Sequence, residues 1–304
     1  MSSDLSPRPH SAEQFGPQRD FWWDRDFLDL MARRWRLEEA SSLADVGCGL
    51  CHWSRLLFPY LRKPARLAAV DREPQWVVEA EKNFRRALPD AQLSFLQGSA
   101  EAIPLDLNSF DVVTCQTVLM HLSEPARGLR EMIRILRPGG LLICVEPNNF
   151  WNYLPVTSLT VDEPVEALVR RLEFWLRYHR GKMMLGQGNH MIGDLLPGLF
   201  AEAGLRDISV HLSDRAAALF PPYSDPGQKA LIEQERQSKA SGSGPWDREQ
   251  VRREVLAGGE GVEFFEQVFS ELSEKFAKEQ QAVAAGTFHV GGGSLLYLVS
   301  GRKA

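Results

Sequence analysis

The chain has few cysteines and no long apolar run. Four cysteines in 304 residues are too few to build a disulfide scaffold. No stretch reaches the roughly 18 apolar residues that a membrane helix needs. The polar first residues, which include two prolines, are unlike a signal peptide or a membrane anchor. We therefore expect a soluble, cytoplasmic protein that does not bind membranes.

The chain also lacks an excess of basic charge. Its 35 Lys and Arg residues stand against 40 Asp and Glu residues, which gives a net charge of -5. This balance gives no electrostatic reason to expect nucleic acid as a partner. The seven histidines are scattered without a paired cysteine or carboxylate at ligand spacing, so no metal site is predicted.

What the sequence does have is an alternation of short apolar runs and helical stretches between residues 42 and 147. Strands that are apolar throughout and joined by helices indicate a parallel sheet covered on both faces. We predict an α/β fold with a Rossmann-like, doubly wound, seven-stranded and mostly parallel sheet. The predicted strands are Leu43–Val46, Leu67–Val70, Leu93–Leu96, Phe110–Cys115, Leu141–Val145, Asp207–Leu212 and Ser294–Val299, and the clearest helices are Phe21–Leu37, Pro74–Leu88, Glu124–Leu136 and Met191–Gly204.

Two segments interrupt this alternation and read as helical insertions that cap the core. In the first, an apolar helix face is predicted from Val165, Leu168, Val169, Leu172, Trp175 and Leu176. In the second, loop-like stretches at 221–227 and 241–245 precede an apolar face from Phe265 to Phe276. The predicted organisation is a lead-in or lid over 1–40, a core over 41–147, a cap insertion over 148–190, a core helix and strand over 191–213, an insertion over 214–285, and a final strand within 286–304.

The segment most informative about function is a glycine turn between the first strand and the helix that opens at His52. Asp45, Gly47 and Gly49 stand in this turn, and Asp71 closes the second strand. Glycines let the backbone approach a ligand closely, and an acid at the end of the second strand accepts hydrogen bonds from ribose hydroxyls in nucleotide-binding folds. The third glycine of a dinucleotide fingerprint is absent, because His52 stands there, which argues against NAD.

A second string in the same segment has the form of a haem attachment site. Residues 48–52 read C-x-x-C-H. The string falls where the glycine turn is needed, and covalent haem attachment requires export. We therefore predict no haem. Cys115 and Cys144 fall in predicted strands and are expected to be buried.

The ordered motifs resemble those of class I S-adenosylmethionine-dependent methyltransferases. The pattern Asp-x-Gly-x-Gly at 45–49 is similar to the family's first motif. The resemblance covers about residues 41–147 and continues through 69–72, 98–104, 109–113, 116–122 and 136–140, and residues 203–205 are similar to the family's lead into its sixth strand. It implies S-adenosylmethionine as the cofactor.

The resemblance also implies which residues contact the cofactor. Asp45, Gly47 and Gly49 would line its methionine part, with Gln116 beneath that part. Asp71 would hold the ribose, Arg72 would lie against adenine, and Ser99 and Ala100 would meet the adenine edge. Cys48 in the turn and Trp23 in the aromatic N-terminal segment complete the predicted cofactor-binding set.

A third group of residues is predicted at the acceptor side. Loops after the carboxyl ends of parallel strands surround the ligand crevice, and aromatic faces stabilise a sulfonium cation as they do a quaternary ammonium. Tyr178, Asn149 and His121 are the predicted catalytic residues; His121 has the pKa range of a general base. Asn148, Trp151 and Tyr153 are predicted to bind substrate.

Three functions fit these residues. The first is methyl transfer from S-adenosylmethionine to a small-molecule metabolite. The second is cyclisation of S-adenosylmethionine alone, in which its α-amino group attacks the carbon next to sulfur and releases methylthioadenosine, as in the methyltransferase-like azetidine-2-carboxylate synthases. The third is cofactor binding without catalysis. A cavity facing the methyl group favours transfer, and an aromatic box over the methionine chain favours cyclisation. The protein is expected to act as a monomer or homodimer.

Overall fold

The computed structural model describes residue 19 and residues 21–87, 91–153, 155–240, 247–293 and 295–304. Residues 1–18 and 20 of the predicted lead-in and the loop-like stretch at 241–245 lie outside these residues. None of the helices described combines the length and the apolar composition needed to cross a bilayer.

A seven-stranded sheet forms the centre of the molecule, in the order β3-β2-β1-β4-β5-β7-β6. Neighbouring strands from β3 to β5 pair in parallel, and β7 is antiparallel to both β5 and β6. This arrangement confirms the predicted fold class. The strands are β1 (Ser42–Val46), β2 (Arg66–Asp71), β3 (Gln92–Gln97), β4 (Phe110–Gln116), β5 (Leu136–Pro147), β6 (Arg206–Leu212) and β7 (Leu296–Arg302).

Nine α-helices lie within the described residues. They are α1 (Arg25–Trp35), α2 (His52–Leu57), α3 (Pro74–Ala87), α4 (Pro125–Ile135), α5 (Val165–Met184), α6 (Leu196–Glu202), α7 (Pro226–Ala240), α8 (Arg248–Ala257) and α9 (Val262–Ala284). One sheet face packs with α1 to α3, through side chains such as Trp35, Trp53 and Phe84. The other face packs with α4 and α6, through Met132 and Phe200.

Several predicted boundaries need correction. The first helix begins at Arg25 rather than Phe21, and the predicted helix from Met191 is a 3-10 turn, Ile192–Leu195, followed by α6. The segment 137–140 belongs to β5, since Arg137 pairs with Asp111 at 2.6 Å. The last strand runs from Leu296 to Arg302, and Ser294 lies outside the described residues.

The cap has an apolar core of its own, built by α5, α8 and α9 from Phe174, Trp175, Val255, Phe265 and other side chains. The predicted face of α9 is confirmed at Phe265, Val268 and Leu272, which are buried. The predicted face of α5 is wrong at Val165, Val169 and Leu176, which are exposed. It is confirmed at Trp175, which is buried, and the helix also buries Phe174, His179, Gly181 and Lys182, because α8 packs on that side.

Glycines allow α5 and α8 to pack this closely. A Cβ on Gly181 would lie 1.6 Å from the carbonyl oxygen of Glu254, and a Cβ on Gly258 would lie 2.0 Å from that of Arg177. No side chain fits at either place, so the two backbones meet directly.

Candidate active site

The glycine turn after β1 is tied to the end of β2. Gly47 and Cys48 donate their backbone N–H groups to the carbonyl oxygen of Val70, at 2.7 and 3.0 Å. Gly49 donates to Oδ2 of Asp71 at 2.8 Å. Gly47 and Gly49 have positive φ angles of 68° and 50°, which glycine adopts at little cost. The turn is therefore held by the acid that the sequence predicts to hold ribose.

Asp71 keeps capacity for a ligand. Its side chain also accepts from the N–H of Glu73 at 2.9 Å, through Oδ1. Each carboxylate oxygen can accept two hydrogen bonds, so each retains one position. Two hydroxyl groups on one ligand, such as those of a ribose, match this pair of acceptors.

Two buried polar atoms beside the turn lack partners within the described chain. They are Oδ2 of Asp45 in β1 and Nε2 of Gln116 in β4. Thr114 lies opposite Asp45 in the strand register, and Gln116 is two residues further, on the same face of the sheet. One atom accepts and the other donates, which fits the ammonium and carboxylate groups of a methionine part.

The protonation of Asp45 is sensitive to its surroundings. Burial raises the pKa of this carboxyl to about 7, although hydrogen bonding from Ser54 opposes the effect. Burial disfavours the ionised form because the carboxylate loses its hydration. A cationic ligand beside Asp45 would favour ionisation, so ligand binding and proton release are coupled here.

The remaining predicted cofactor contacts lie near the same strand ends, with one exception. Arg72 is exposed beside Glu73, and the hydroxyl of Ser99, just before Ala100, accepts from the N–H of Glu101 at 3.1 Å. Cys48 is buried in the turn, and a neighbouring thiol, Cys51, together with burial raises its pKa, so the thiol stays protonated.

Trp23 is the exception, because its ring lies in the core. It packs against Trp53 with ring centroids 5.1 Å apart, and only 7% of the residue is exposed. Trp53 in turn donates its indole N–H to the hydroxyl of Thr114. The neighbouring Trp22 lines the cavity described next. Trp23 therefore packs against the helix that follows the glycine turn and does not line the cavity wall.

A cavity of about 520 Å³ opens beside the turn. Gly47 lies against Val118, whose side chain occupies the place of a Cβ on that glycine. Thr117, Met120 and His121, around Val118, line the cavity. The far walls come from α5, from α7 and from residues 213–218. The cavity thus joins the carboxyl ends of β4 and β5 to the cap.

Of the predicted catalytic and substrate-binding residues, four line this cavity: Asn149, His121, Tyr153 and Tyr178. Two do not. Asn148 is buried and donates to Asp194 at 2.6 Å while accepting from the N–H of Phe150, so it holds the chain after β5. Trp151 is 44% exposed and lies outside the cavity wall.

The cavity wall also contains polar residues that sequence reasoning missed. His190 lies beside His121, with ring centroids 5.2 Å apart. The loop that carries His190 packs directly on the backbone at Met120, because Gly188 has no side chain: a Cβ there would lie 2.2 Å from the carbonyl oxygen of Met120. His179 and Lys182 follow Trp175 at helical spacing, which is the one sequence signal for them. No group of His, Cys, Asp or Glu in the described residues is arranged to hold a metal ion.

Glu146 is the most important residue that the sequence analysis missed. It is fully buried near the end of β5, and it accepts from the N–H groups of Val118, Leu119 and Met120 at 2.8, 2.7 and 3.2 Å. These bonds fix the segment that separates the turn from the cavity. Burial raises the pKa of Glu146 to about 7, against the effect of the three backbone donors. The sequence signal that could have identified Glu146 is an acidic residue directly after the apolar run of β5.

Comparison with known proteins agrees with this geometry. Residues 44–144 match the family described as methyltransferase domain. An uncharacterized methyltransferase, YcgJ of Bacillus subtilis, is 27% identical over 165 residues, which are 54% of this chain and 61% of that protein. A demethylmenaquinone methyltransferase of Listeria monocytogenes is 30% identical over 125 residues, 41% of this chain and 50% of that protein.

The chain therefore spans 61% and 50% of the lengths of these two relatives. The crystal structure of the YcgJ protein from Bacillus subtilis aligns with a TM-score of 0.48 at 18% identity, over 92% of this chain and 99% of that one. Residues 44–144 therefore match a methyltransferase domain, and the motifs and strand order around them resemble those of class I S-adenosylmethionine-dependent methyltransferases.

Proposed function

We propose that this protein transfers the methyl group of S-adenosylmethionine to a small molecule bound in the cavity. The observation that carries the proposal is the position of the cavity. It begins at Thr117, directly after Gln116 at the end of β4, and its volume of about 520 Å³ leaves room for an acceptor. Pockets of this size between a sheet edge and a cap are typical of small-molecule sites.

The proposed cofactor site is the glycine turn with its neighbouring strand ends. Asp45, Gln116 and Asp71 supply the polar groups, and Gly47 and Gly49 let the backbone come close. Arg72, Ser99, Ala100 and Cys48 complete the proposed set, whereas Trp23 acts through packing. When bound, S-adenosylmethionine supplies an activated methyl group, so the chain itself has to align the acceptor and exclude water.

The cavity residues have distinct proposed roles. Burial raises the pKa of Tyr178 above its ordinary value, which makes its hydroxyl a hydrogen-bond donor rather than a base at neutral pH. His121, next to His190, is the proposed general base, which takes the proton from the substrate group that receives the methyl group. Asn149 and Tyr153 line the same space, where an amide and an aromatic ring orient a bound molecule.

Cyclisation of S-adenosylmethionine alone is the competing function. That reaction needs no room for a second substrate, so the cavity favours methyl transfer. The acidic charge balance supports small molecules rather than nucleic acid as partners, and we propose action as a cytoplasmic monomer or homodimer.

The test has a binding part and a product part. Asp71→Ala and Gly49→Val should abolish S-adenosylmethionine binding in calorimetry, and Asp106→Ala, which removes an exposed carboxylate, should leave it unchanged. Wild-type protein incubated with S-adenosylmethionine and a panel of acceptors should yield S-adenosylhomocysteine and a methylated product by mass spectrometry. Methylthioadenosine with a four-membered cyclic amino acid, formed from S-adenosylmethionine alone, would overturn methyl transfer in favour of cyclisation.

A further inference from the structure

The wall of the cavity that α5 forms contains a buried imidazole without hydrogen bonds. His179 is 2% exposed and lines the cavity. Neither ring nitrogen has a hydrogen-bond partner within the described part of the chain. A neutral imidazole always presents one donor and one acceptor, and buried polar groups in folded proteins are nearly always paired. The ring is therefore placed to bind something that enters the cavity.

The imidazole is neutral near physiological pH. Burial lowers the pKa of His179 to about 4, and the nearby ammonium of Lys182 adds to the effect. A neutral ring offers its N–H to a ligand without adding a positive charge of its own. The charge on this wall therefore comes from Lys182.

Lys182 lies one turn further along α5 and is 8% exposed. Its ammonium donates to the hydroxyl of Tyr178 at 3.4 Å and lies 5.2 Å from the centre of that ring. Among the described residues it forms no ion pair. Lysine is almost never buried unless it is paired, and an anion that enters the cavity would supply such a pair.

Glu254 on α8 is the carboxylate that attracts this ammonium, but the two groups form no ion pair among the described contacts. Glu254 is fully buried, and its Oε2 has no hydrogen-bond partner within the described residues. Asp225, the carboxylate in the cavity lining, is already held by Arg215 at 3.9 Å. Arg215 also pairs with Asp24 at 3.0 Å. Within the described residues, Lys182 is therefore a cation of the cavity lining without a directly paired carboxylate.

Aromatic rings also line the cavity. The ring of Tyr153, a lining residue, stacks on Trp175, with centroids 4.0 Å apart and planes within 10°. Tyr178 stands edge-on to Trp175 at 5.5 Å, and Phe21 and Trp22 line the cavity as well. Aromatic side chains pair best with other planar rings in stacked or edge-to-face contacts.

We propose that the cavity binds a planar aromatic carboxylate as the methyl acceptor. Its carboxylate accepts hydrogen bonds from the ammonium of Lys182, the hydroxyl of Tyr178 and the N–H of His179, and its ring packs against Tyr153. This assignment rests on the proposed function, because it takes the cavity as the acceptor site. The new element is the chemical class of the acceptor and the residues that select it.

Two probes of the same shape separate charge from packing. The first is 2-naphthoate and the second is 2-naphthamide, which lacks the negative charge. Titrated calorimetrically into wild-type protein, with and without saturating S-adenosylhomocysteine, 2-naphthoate should bind at least tenfold more tightly than the amide. Lys182→Met should remove this preference by weakening 2-naphthoate at least tenfold, with the affinity for 2-naphthamide changed less than twofold.

Matched variants complete the design. Lys182→Arg should keep most of the preference, and Lys82→Met, which removes an exposed lysine of α3, should keep all of it. His179→Phe should weaken 2-naphthoate at least threefold. Thermal unfolding identifies variants that fail to fold. If Lys182→Met fails to fold, Lys182→Gln is used in its place.

Three results would overturn the assignment. These are equal affinity of wild-type protein for the two probes, an unchanged preference in the folded Lys182 variants, or no binding of either probe at millimolar concentration. The binding of S-adenosylhomocysteine in the absence of probes is a separate readout. If wild-type protein does not bind S-adenosylhomocysteine, the proposed function is refuted. The preference between the two probes, measured in the absence of S-adenosylhomocysteine, reports on the cavity alone.

Discussion

At the scale of single residues, the structure depends on buried carboxyl groups at strand ends. Glu146 receives three backbone N–H groups, and Asp71 receives two. Carboxylates at these positions add side-chain acceptors to the backbone hydrogen bonds of two turns, the glycine turn and the 3-10 turn Leu119–His121. The local backbone near the cofactor site is therefore set by side chains from neighbouring strands.

Replacement of Glu146 by Gln tests this role. The glutamine side chain has the same shape as that of glutamate, but an NH₂ group replaces one of the two carboxylate oxygens. This group donates hydrogen bonds and cannot accept them, so at least one backbone N–H group loses its acceptor. We expect a loss of roughly 1–3 kcal/mol in the free energy of unfolding, measured by urea denaturation. Glu124→Gln, at an exposed position that makes no side-chain cap, is the control and should be near neutral. Equal losses in the two variants would contradict the role given to Glu146.

Residue-level prediction from sequence agrees with the structure where a residue's position follows from its place in a motif. The motif places Asp45, Gly47, Gly49 and Asp71 at the end of β1 and β2, and the structure brings them together. It does not reveal that Trp23 packs into the core or that Asn148 is engaged by Asp194. Those positions depend on contacts between distant segments, which local sequence does not encode.

At the scale of elements, the contact between α5 and α8 controls the cap. Hydrophobic periodicity predicts the buried face of α5 only in part, because apolar residues such as Val165 and Val169 are exposed, while polar residues such as His179 and Lys182 are buried and line the cavity. A helix that lines a binding site breaks the rule that its buried face is apolar. The central strands β1, β2 and β4, which are buried on both faces, consist of apolar runs and were predicted closely.

Substitution of Gly181 by Ala tests this contact. The added Cβ would lie 1.6 Å from a backbone oxygen of α8, so the two helices have to separate. We expect a loss of at least about 2 kcal/mol in the free energy of unfolding. The control is Gly198→Ala in α6, where nothing lies within 4 Å of an added Cβ. It should be neutral or stabilising by up to about 1 kcal/mol. Urea denaturation of both variants measures the difference, and comparable stability of the two would refute the close contact.

At the scale of the whole molecule, two buried carboxyls couple stability to pH. The pKa values of Asp45 and Glu146 are raised to about 7 by burial. In the window from the ordinary carboxyl pKa near 4 up to about 7, the folded protein retains protons that the unfolded chain has released. Their contribution to stability is therefore largest in mild acid and decreases as the pH rises toward 7.

We expect the free energy of unfolding to fall by roughly 2–3 kcal/mol for each of these carboxyls between pH 5 and pH 8. Asp45→Asn removes one of the two and should make the dependence less steep. Urea denaturation at pH 5, 6, 7 and 8 compares the two proteins. A wild-type curve with the same slope as that of Asp45→Asn would show that Asp45 is ionised in the fold at all these values.

The origin of the cavity lining has a consequence for comparison with relatives. Among the described residues of the segment that matches the methyltransferase family, 44–144, only Thr117, Met120 and His121 line the cavity. The other walls come from chain before and after that segment. If the cavity takes the acceptor as proposed, exchange of the flanking segments changes the accepted compound while the matched third of the chain stays constant. Sequence similarity within the matched segment then says little about which compound a relative modifies.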